Sequence, residues 1–204
     1  MITKFRTFWR SKRLHKAIHI LKNKKVTIIS QNCYGGIFSH DYQLKYMSPT
    51  INLYFSVPDF VKFCKSIEAY IKLPLKEVKQ DEYSYPLGTL GELTIHFVHY
   101  SSFDEANNKW KERCERIDLD NLYFMMSDRD GCTNDDLLEF DKLPCKNKVV
   151  FVHEPRPDIK SALYVPGYKK KSSVGNIYKW KGVFGKRTWD RCDFNFVRFI
   201  NHKN

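Results

Sequence analysis

Leu122-Tyr123-Phe124-Met125-Met126 is an unbroken apolar run that opens directly into Ser127-Asp128-Arg129-Asp130-Gly131. A short apolar stretch closed off by turn residues has the length of a strand buried on both faces, as in a parallel sheet. Three other runs share this build. Val26-Thr27-Ile28-Ile29 opens into Ser30-Gln31-Asn32-Cys33-Tyr34-Gly35-Gly36, Leu93-Thr94-Ile95-His96-Phe97-Val98 into His99, and Val149-Val150-Phe151-Val152 into His153-Glu154. In an open α/β sheet, ligands bind in the crevice beyond the carboxyl ends of the strands. Four such endings on one edge would make one site.

Working outward from these runs, the spacing predicts strands at 26–31, 51–55, 93–98, 122–126, 148–152 and 163–165. Helical stretches lie between them. One is expected near 37–45 and one over 56–71, where Ser56, Pro58 and Asp59 form a start signal and Phe60, Phe63, Cys64, Ile67 and Ile71 recur on one face. Others run from the Ser102 cap to about 117, from the Thr133 cap to about 141, and over 189–200. Residues 73–91, broken by Pro74, Pro86, Gly88 and Gly91, are expected to form a loop or irregular hairpin. Strands separated by helices of this length favour right-handed crossovers. The expected fold is a single three-layer α/β domain over 26–204, with a largely parallel central sheet and helices on both faces, preceded by a basic amphipathic segment at 1–25.

Composition agrees with one domain. The chain has 204 residues, 42% hydrophobic and 28% charged, within the range of a globular domain and away from that of a disordered tail. No apolar stretch approaches the roughly 20 residues needed to span a bilayer, and the basic start lacks the apolar core of a secretory signal. Six scattered cysteines without a Cys-x-x-Cys pair argue against a zinc knuckle and for reduced thiols in a cytoplasmic setting. The net charge of +12 is unevenly placed: residues 1–25 hold nine basic and no acidic side chains, 26–144 hold 12 against 19, and 145–204 hold 14 against four. Such asymmetry points to an anionic partner at particular places.

Asp128 and Asp130 follow an apolar strand one residue apart, a pattern that can hold a divalent cation against a diphosphate. Hard cations such as Mg²⁺ or Mn²⁺ take few protein carboxylates and complete their shell with phosphate oxygens and water. Arg129 between them can add a bidentate phosphate contact. The alternative is a turn leading into the Thr133 cap, with Asp130-Gly131 as turn residues. Asn32, Tyr34, Gly35 and Gly36 sit at a strand-to-helix turn, where paired glycines let the backbone approach a substrate; tight turning alone also explains them. Cys33 has no basic or histidine neighbour in the sequence to activate it. His99, His153 and Glu154 fall at strand ends, where a histidine or carboxylate can act as general base; a structural histidine is the competing explanation. His96, inside its strand, is expected to pack. Lys169-Lys170-Lys171 and Lys186-Arg187 are expected to be solvated loop charges.

At 1–25, Phe5, Phe8, Trp9, Leu14, Ile18 and Leu21 alternate with Lys4, Arg6, Arg10, Lys12, Arg13, Lys16 and Lys22. This mixture suits a helix in an anionic membrane interface, and equally a helix packed on its own domain with a basic outer side.

Six stretches, Ser30–Gly36, Leu44–Thr50, Tyr85–Gly88, His96–Tyr100, Ser127–Cys132 and Lys146–Phe151, resemble the bacterial family catalogued as domain of unknown function 1919, over roughly 26–200. Members of that family are commonly labelled exopolysaccharide biosynthesis proteins. The resemblance implies a three-layer α/β fold and a capsule or exopolysaccharide context, without a reaction or a catalytic set.

Together these features lead to an expected transferase, glycosyltransferase-like, acting on a polysaccharide precursor in the cytoplasm or at the inner face of the membrane. Asp128 and Asp130 would hold the metal, Arg129 and the Asn32–Gly36 turn the nucleotide-sugar donor, and His153, Glu154 and His99 would serve the chemistry. Alternatives are acyl or phosphoryl transfer to the glycan, or a non-catalytic carbohydrate-binding or assembly factor. Nucleic acid ranks last among partners, because the basic ends lack a recognisable binding motif.

Overall fold

A computed structural model describes residues 2–201. The chain begins with α1 (Ile2–Ile20), β1 (Thr27–Ser30) and α2 (Tyr34–Asp41), then α3 (Val57–Lys65) and the one-turn α4 (Ile67–Tyr70). The strands β2 (Lys76–Val78), β3 (Leu87–Leu90) and β4 (Leu93–His96) follow, and then α5 (Phe103–Cys114), β5 (Leu122–Ser127), α6 (Asn134–Asp141), β6 (Lys148–Val152) and β7 (Ala162–Tyr164). The tail carries a small hairpin of β8 (Trp180–Lys181) and β9 (Lys186–Arg187), and ends in α7 (Phe196–Asn201).

Four strands form an all-parallel sheet in the order β1-β5-β6-β7, with Ile29 opposite Phe124, Met125 opposite Val149 and Phe151 opposite Leu163. Successive side chains of a strand point to opposite faces, and the apolar residues divide accordingly. Ile29, Phe124, Met126, Val150 and Val152 join the buried residues of α3, α5, α6 and β4. Ile28, Tyr123, Met125, Val149 and Phe151 join those of α2 and α7. Continuous burial on both faces is why these strands appear in the sequence as unbroken apolar runs.

Several expected elements differ. The run at 93–98 does not join the parallel sheet: β4 pairs antiparallel with β3 through a turn at Gly91 (φ 61°), and β2 completes a separate three-stranded sheet within the expected loop. Residues 51–55 are not a strand, because Asn52 has φ 64° and breaks extended pairing. What remains is a stitch between the sheets, with the Tyr54 amide on the His96 carbonyl and the Phe55 amide on the Gln31 carbonyl, both 2.9 Å. The helix expected over 56–71 is cut at Ser66 (φ −134°) into α3 and α4. That over 189–200 is a 3₁₀ turn at Thr188–Arg191, an extended Cys192, and then α7. The helix expected at 37–45 starts earlier, at Tyr34, and ends at Asp41.

The basic lead is packed on the body. Arg10, Leu14 and Leu21 of its inner side are buried. Arg10 donates to Asp41 (Nε–Oδ2, 2.8 Å) and to Asp190 (2.6 and 2.9 Å). Arg187, far from a solvated loop charge, is buried: it donates to Asp41 from Nε and Nη2 at 2.7 and 2.9 Å, and its guanidinium lies 4.0 Å from the Trp180 ring centroid. The helix and the tail hairpin thus share one buried carboxylate.

Candidate functional site

Three strands of the parallel sheet deliver polar residues to one carboxyl edge: β1 delivers Gln31, Asn32 and Cys33, β5 delivers Ser127 to Asp130, and β6 delivers His153 and Glu154. Below this edge lies a buried polar floor. The Asn32 amide donates to Gln31 Oε1 (3.2 Å) and Ser127 Oγ (3.3 Å), and Ser127 Oγ donates to Gln31 Oε1 (3.2 Å). A buried network with its groups paired holds its members in one geometry.

Asp128 is the centre of the site. It is 8% exposed, and both carboxylate oxygens are engaged. Oδ1 accepts from the Val174 amide at 2.7 Å. Oδ2 accepts from the His153 amide at 2.7 Å and lies 2.5 Å from His153 Nδ1. A carboxylate on Nδ1 fixes the ring orientation and leaves Nε2 outside that contact. The arrangement is one that a general base and its orienting acid can adopt, and a structural histidine held by a carboxylate adopts it equally.

Two clefts flank the Asp128-Arg129-Asp130 turn. The smaller, about 200 Å³, is lined by Asp128, Cys132, Thr133, Asn134, His153 and Glu154, with Arg156 and Ser172 at its side. Thr133 starts α6 with a full capping box: its hydroxyl and amide both meet Asp136 Oδ2, and it accepts from the Asp136 amide. Burial, with Asp136 and Asp128 adding to it, pushes the Cys132 thiol up to about 12, so it stays protonated and unreactive beside the histidine. The larger cleft, about 340 Å³, is lined by Asn32, Cys33, Tyr54, Val98, His99, Arg129, Asp130 and Tyr178. His99 reaches it from the antiparallel sheet, and Tyr54 from the stitch between the sheets. Arg129 makes an ion contact with Asp130 at 4.0 Å and interacts with the Tyr34 hydroxyl. Burial raises the Cys33 thiol, and Arg129 works against that rise.

The residues singled out from the sequence therefore divide. Asp128, His153 and Glu154 share the smaller cleft; Asn32, His99, Arg129 and Asp130 share the larger. The expected metal pair does not converge: Asp128 is spent on backbone and histidine donors, while Asp130 (φ 56°) turns to the other cleft, where Gln31 Nε2 reaches it at 3.4 Å. Among the described residues no three His, Cys, Asp or Glu side chains are placed to hold a metal ion. Tyr34 is no ligand contact either; its buried ring packs edge-on to Phe151 and its hydroxyl donates to the Gly175 carbonyl. Burial raises that hydroxyl to about 12. Gly35 serves packing, since a Cβ there would come 2.8 Å from Ser30 Cβ, whereas one on Gly36 would meet Ile51 at an ordinary 3.5 Å.

Tyr54, Tyr178, Ser172 and Val174 carried no sequence signal of a site. They arrive from distant segments, and neither periodicity nor a motif marks them.

Comparison with known proteins adds the family. The chain matches the model of the domain of unknown function DUF1919 over residues 4–201, so the match includes most of α1 as well as the stretch from 26 onward. It is 47% identical over 182 residues to an uncharacterized protein of Haemophilus influenzae, covering 89% of this chain and 87% of that protein. The chain belongs to the DUF1919 family.

Proposed function

We propose that this protein is a transferase acting on an acceptor hydroxyl of a polysaccharide precursor, with His153 as general base and Asp128 as the residue that positions it. The observation that carries this is the Asp128–His153 contact, 2.5 Å from Oδ2 to Nδ1, at the mouth of a cleft. His153 Nε2 takes the acceptor proton, Asp128 offsets the positive charge that forms on the ring, and the acceptor oxygen attacks the donor carbon. In a glycosyl transfer the new bond is oxygen to the anomeric carbon, and the donor phosphate leaves with the bonding electrons. Arg156, which lines the same cleft as His153 and also donates to Asp158 and Asn134, is the cation available there to receive that phosphate. The glycan context rests only on the family resemblance read from the sequence; the relative matched by comparison is an uncharacterized protein. Mg²⁺ or Mn²⁺ has no paired carboxylates here and is not needed for the role given to His153.

Acyl transfer is the second reading, favoured by one observation: Cys33 shares the larger cleft with His99, Asn32 and Arg129. There the Cys33 thiol, passing its proton to His99, would attack a thioester carbonyl and expel the donor thiolate, which takes that proton; the glycan hydroxyl would then attack the acyl-cysteine, breaking its C–S bond and restoring the thiol.

A thermal-shift screen of nucleotide sugars, with and without Mn²⁺, and of acyl thioesters tests both. A donor at a hundredfold excess over its dissociation constant stabilises the folded state by about 2.7 kcal/mol. With the stabilising donor and a glycan acceptor, His153→Gln should lower turnover by roughly 10²–10⁴-fold at unchanged donor binding. Asp128→Asn should lower kcat with little change in KM. The base assignment fails if His153→Gln turns over like the parent. The transferase reading fails if neither donor class stabilises the protein.

A further inference from the structure

The first helix and the tail hairpin, remote in sequence, build one outward-facing apolar surface. Ile2, Phe5 and Phe8 on α1 are 52%, 47% and 55% exposed, and Val183 and Phe184 at the hairpin tip are 39% and 59% exposed. The half-buried Trp9 ties them together, edge-on to Phe5 (6.1 Å), Phe8 (5.9 Å) and Phe184 (5.7 Å). Large apolar side chains grouped this way mark a contact surface, whereas scattered single ones do not.

The surface is held in place. Arg6 Nε donates to the Gly182 carbonyl at 3.0 Å. A Cβ on Gly185, where φ is +66°, would lie 2.4 Å from the Arg10 amide nitrogen, so the tip sits directly on the helix backbone. Beneath it, Arg10 and Arg187 converge on Asp41. The aromatics cannot fold inward without breaking this buried cluster.

Its rim is uniformly cationic. Lys4, Lys12, Arg13 and Lys16 are exposed on α1, and Lys179, Lys181 and Lys186 on the hairpin; Lys12 Nζ stands 5.6 Å from the Phe8 ring centroid. Residues 1–25 and 179–187 contain no Asp or Glu. Two copies of this chain meeting face to face across a twofold axis would bring these like charges together, and a nucleic acid would leave the phenylalanines in water. No described helix is long and apolar enough to cross a membrane.

We infer that this face lies on an anionic lipid surface, with Phe5, Phe8 and Phe184 entering the boundary between headgroups and acyl chains while the lysines meet the headgroup phosphates. The hairpin starts two residues after Tyr178, which lines the larger cleft. Docking would set that cleft beside the membrane. The inference does not depend on the reaction proposed for His153.

Flotation of the full chain with vesicles of phosphatidylcholine, with and without phosphatidylglycerol, provides the test. Binding should require phosphatidylglycerol and weaken as salt screens the charges. Replacing Phe5, Phe8 and Phe184 together by Ser should weaken it by roughly tenfold or more, since the loss of apolar burial is insensitive to salt. Each is about half exposed and loses one edge-on contact with Trp9, so the unfolding midpoint should fall modestly while the fold is kept; Phe184→Ser alone, which removes one such contact, repeats the test if the triple variant proves unstable. Lys4→Glu with Lys12→Glu should weaken binding and flatten its salt dependence. The inference is overturned if the protein ignores both vesicle types, floats equally with both, or binds unchanged without the three phenylalanines, which would indicate attraction to any polyanion. It is also overturned if the parent sediments as a dimer that the triple variant dissociates, which would make the face a contact between copies.

Discussion

Asp128 illustrates how one residue's role turns on the backbone after it. In an extended chain, residues two apart point the same way, so an Asp-x-Asp sequence offers both carboxylates to one ion. Here the strand ends at Ser127, and Asp130 has φ 56°, so the pair diverges into separate clefts. Gly35 gives a similar lesson and a sharper test. A methyl group there would press on Ser30 Cβ at 2.8 Å and Ile28 Cγ2 at 3.0 Å, both in the buried strand that α2 packs against. Gly35→Ala should therefore cost about 1–3 kcal/mol in urea unfolding. Gly36→Ala meets Ile51 at an ordinary 3.5 Å and gains helix propensity, so it should be neutral or stabilise by up to about 1 kcal/mol. Equal effects from the two substitutions would refute the packing role assigned to Gly35.

At the scale of elements, the attachment of α1 is what sequence patterning conceals. Asp41, at the end of α2, accepts from two arginines 31 and 146 residues away along the chain. Replacing one partner of a buried ion cluster leaves uncompensated charge, which costs about 3–5 kcal/mol. Asp41→Asn should lose about that much in thermal or urea unfolding. It should also speed tryptic cleavage within α1, because the helix loses the anchor holding its buried side. A variant that melts and resists trypsin like the parent would show that α1 is held by apolar packing alone, through Leu14 and Leu21.

For the whole molecule, charge and burial point to acid sensitivity. Burial lowers His96 below its ordinary 6.5. Burial alone would raise Asp141, but the Ser161 and Lys160 amides hold it below 3.8, and hydrogen bonds from Lys65 and Lys142 hold Glu139 below 4.5. In each case the folded state binds protons less readily than the unfolded chain, so stability rises with pH. The contribution of His96 is present above 6.5 and is lost as pH falls through its lowered folded value; those of the carboxylates are lost below their ordinary values. The net charge of +12 grows over the same range and adds self-repulsion. Urea midpoints should therefore fall between about pH 7.5 and about pH 4, and the parent's margin over His96→Gln should shrink as the pH drops below 6.5. A margin that stays constant across that range would remove His96 from the explanation.

The amino-acid sequence by itself determined the parallel core: the apolar runs at β1, β5 and β6, the Thr133 cap, and the delivery of Asn32, Asp128 and His153 to strand ends. These follow from local periodicity and capping chemistry, which a chain carries wherever it goes. Only the tertiary structure decided which strand pairs with which, so that β4 left the parallel sheet for a hairpin with β3. It alone joined Asp128 to His153, brought Cys33 and His99 to one cleft, and set Phe184 against Trp9. The reason is that these contacts join residues 25 to 175 positions apart. Nothing in the spacing of either partner encodes the other, and the packing of the intervening elements is what selects the pair.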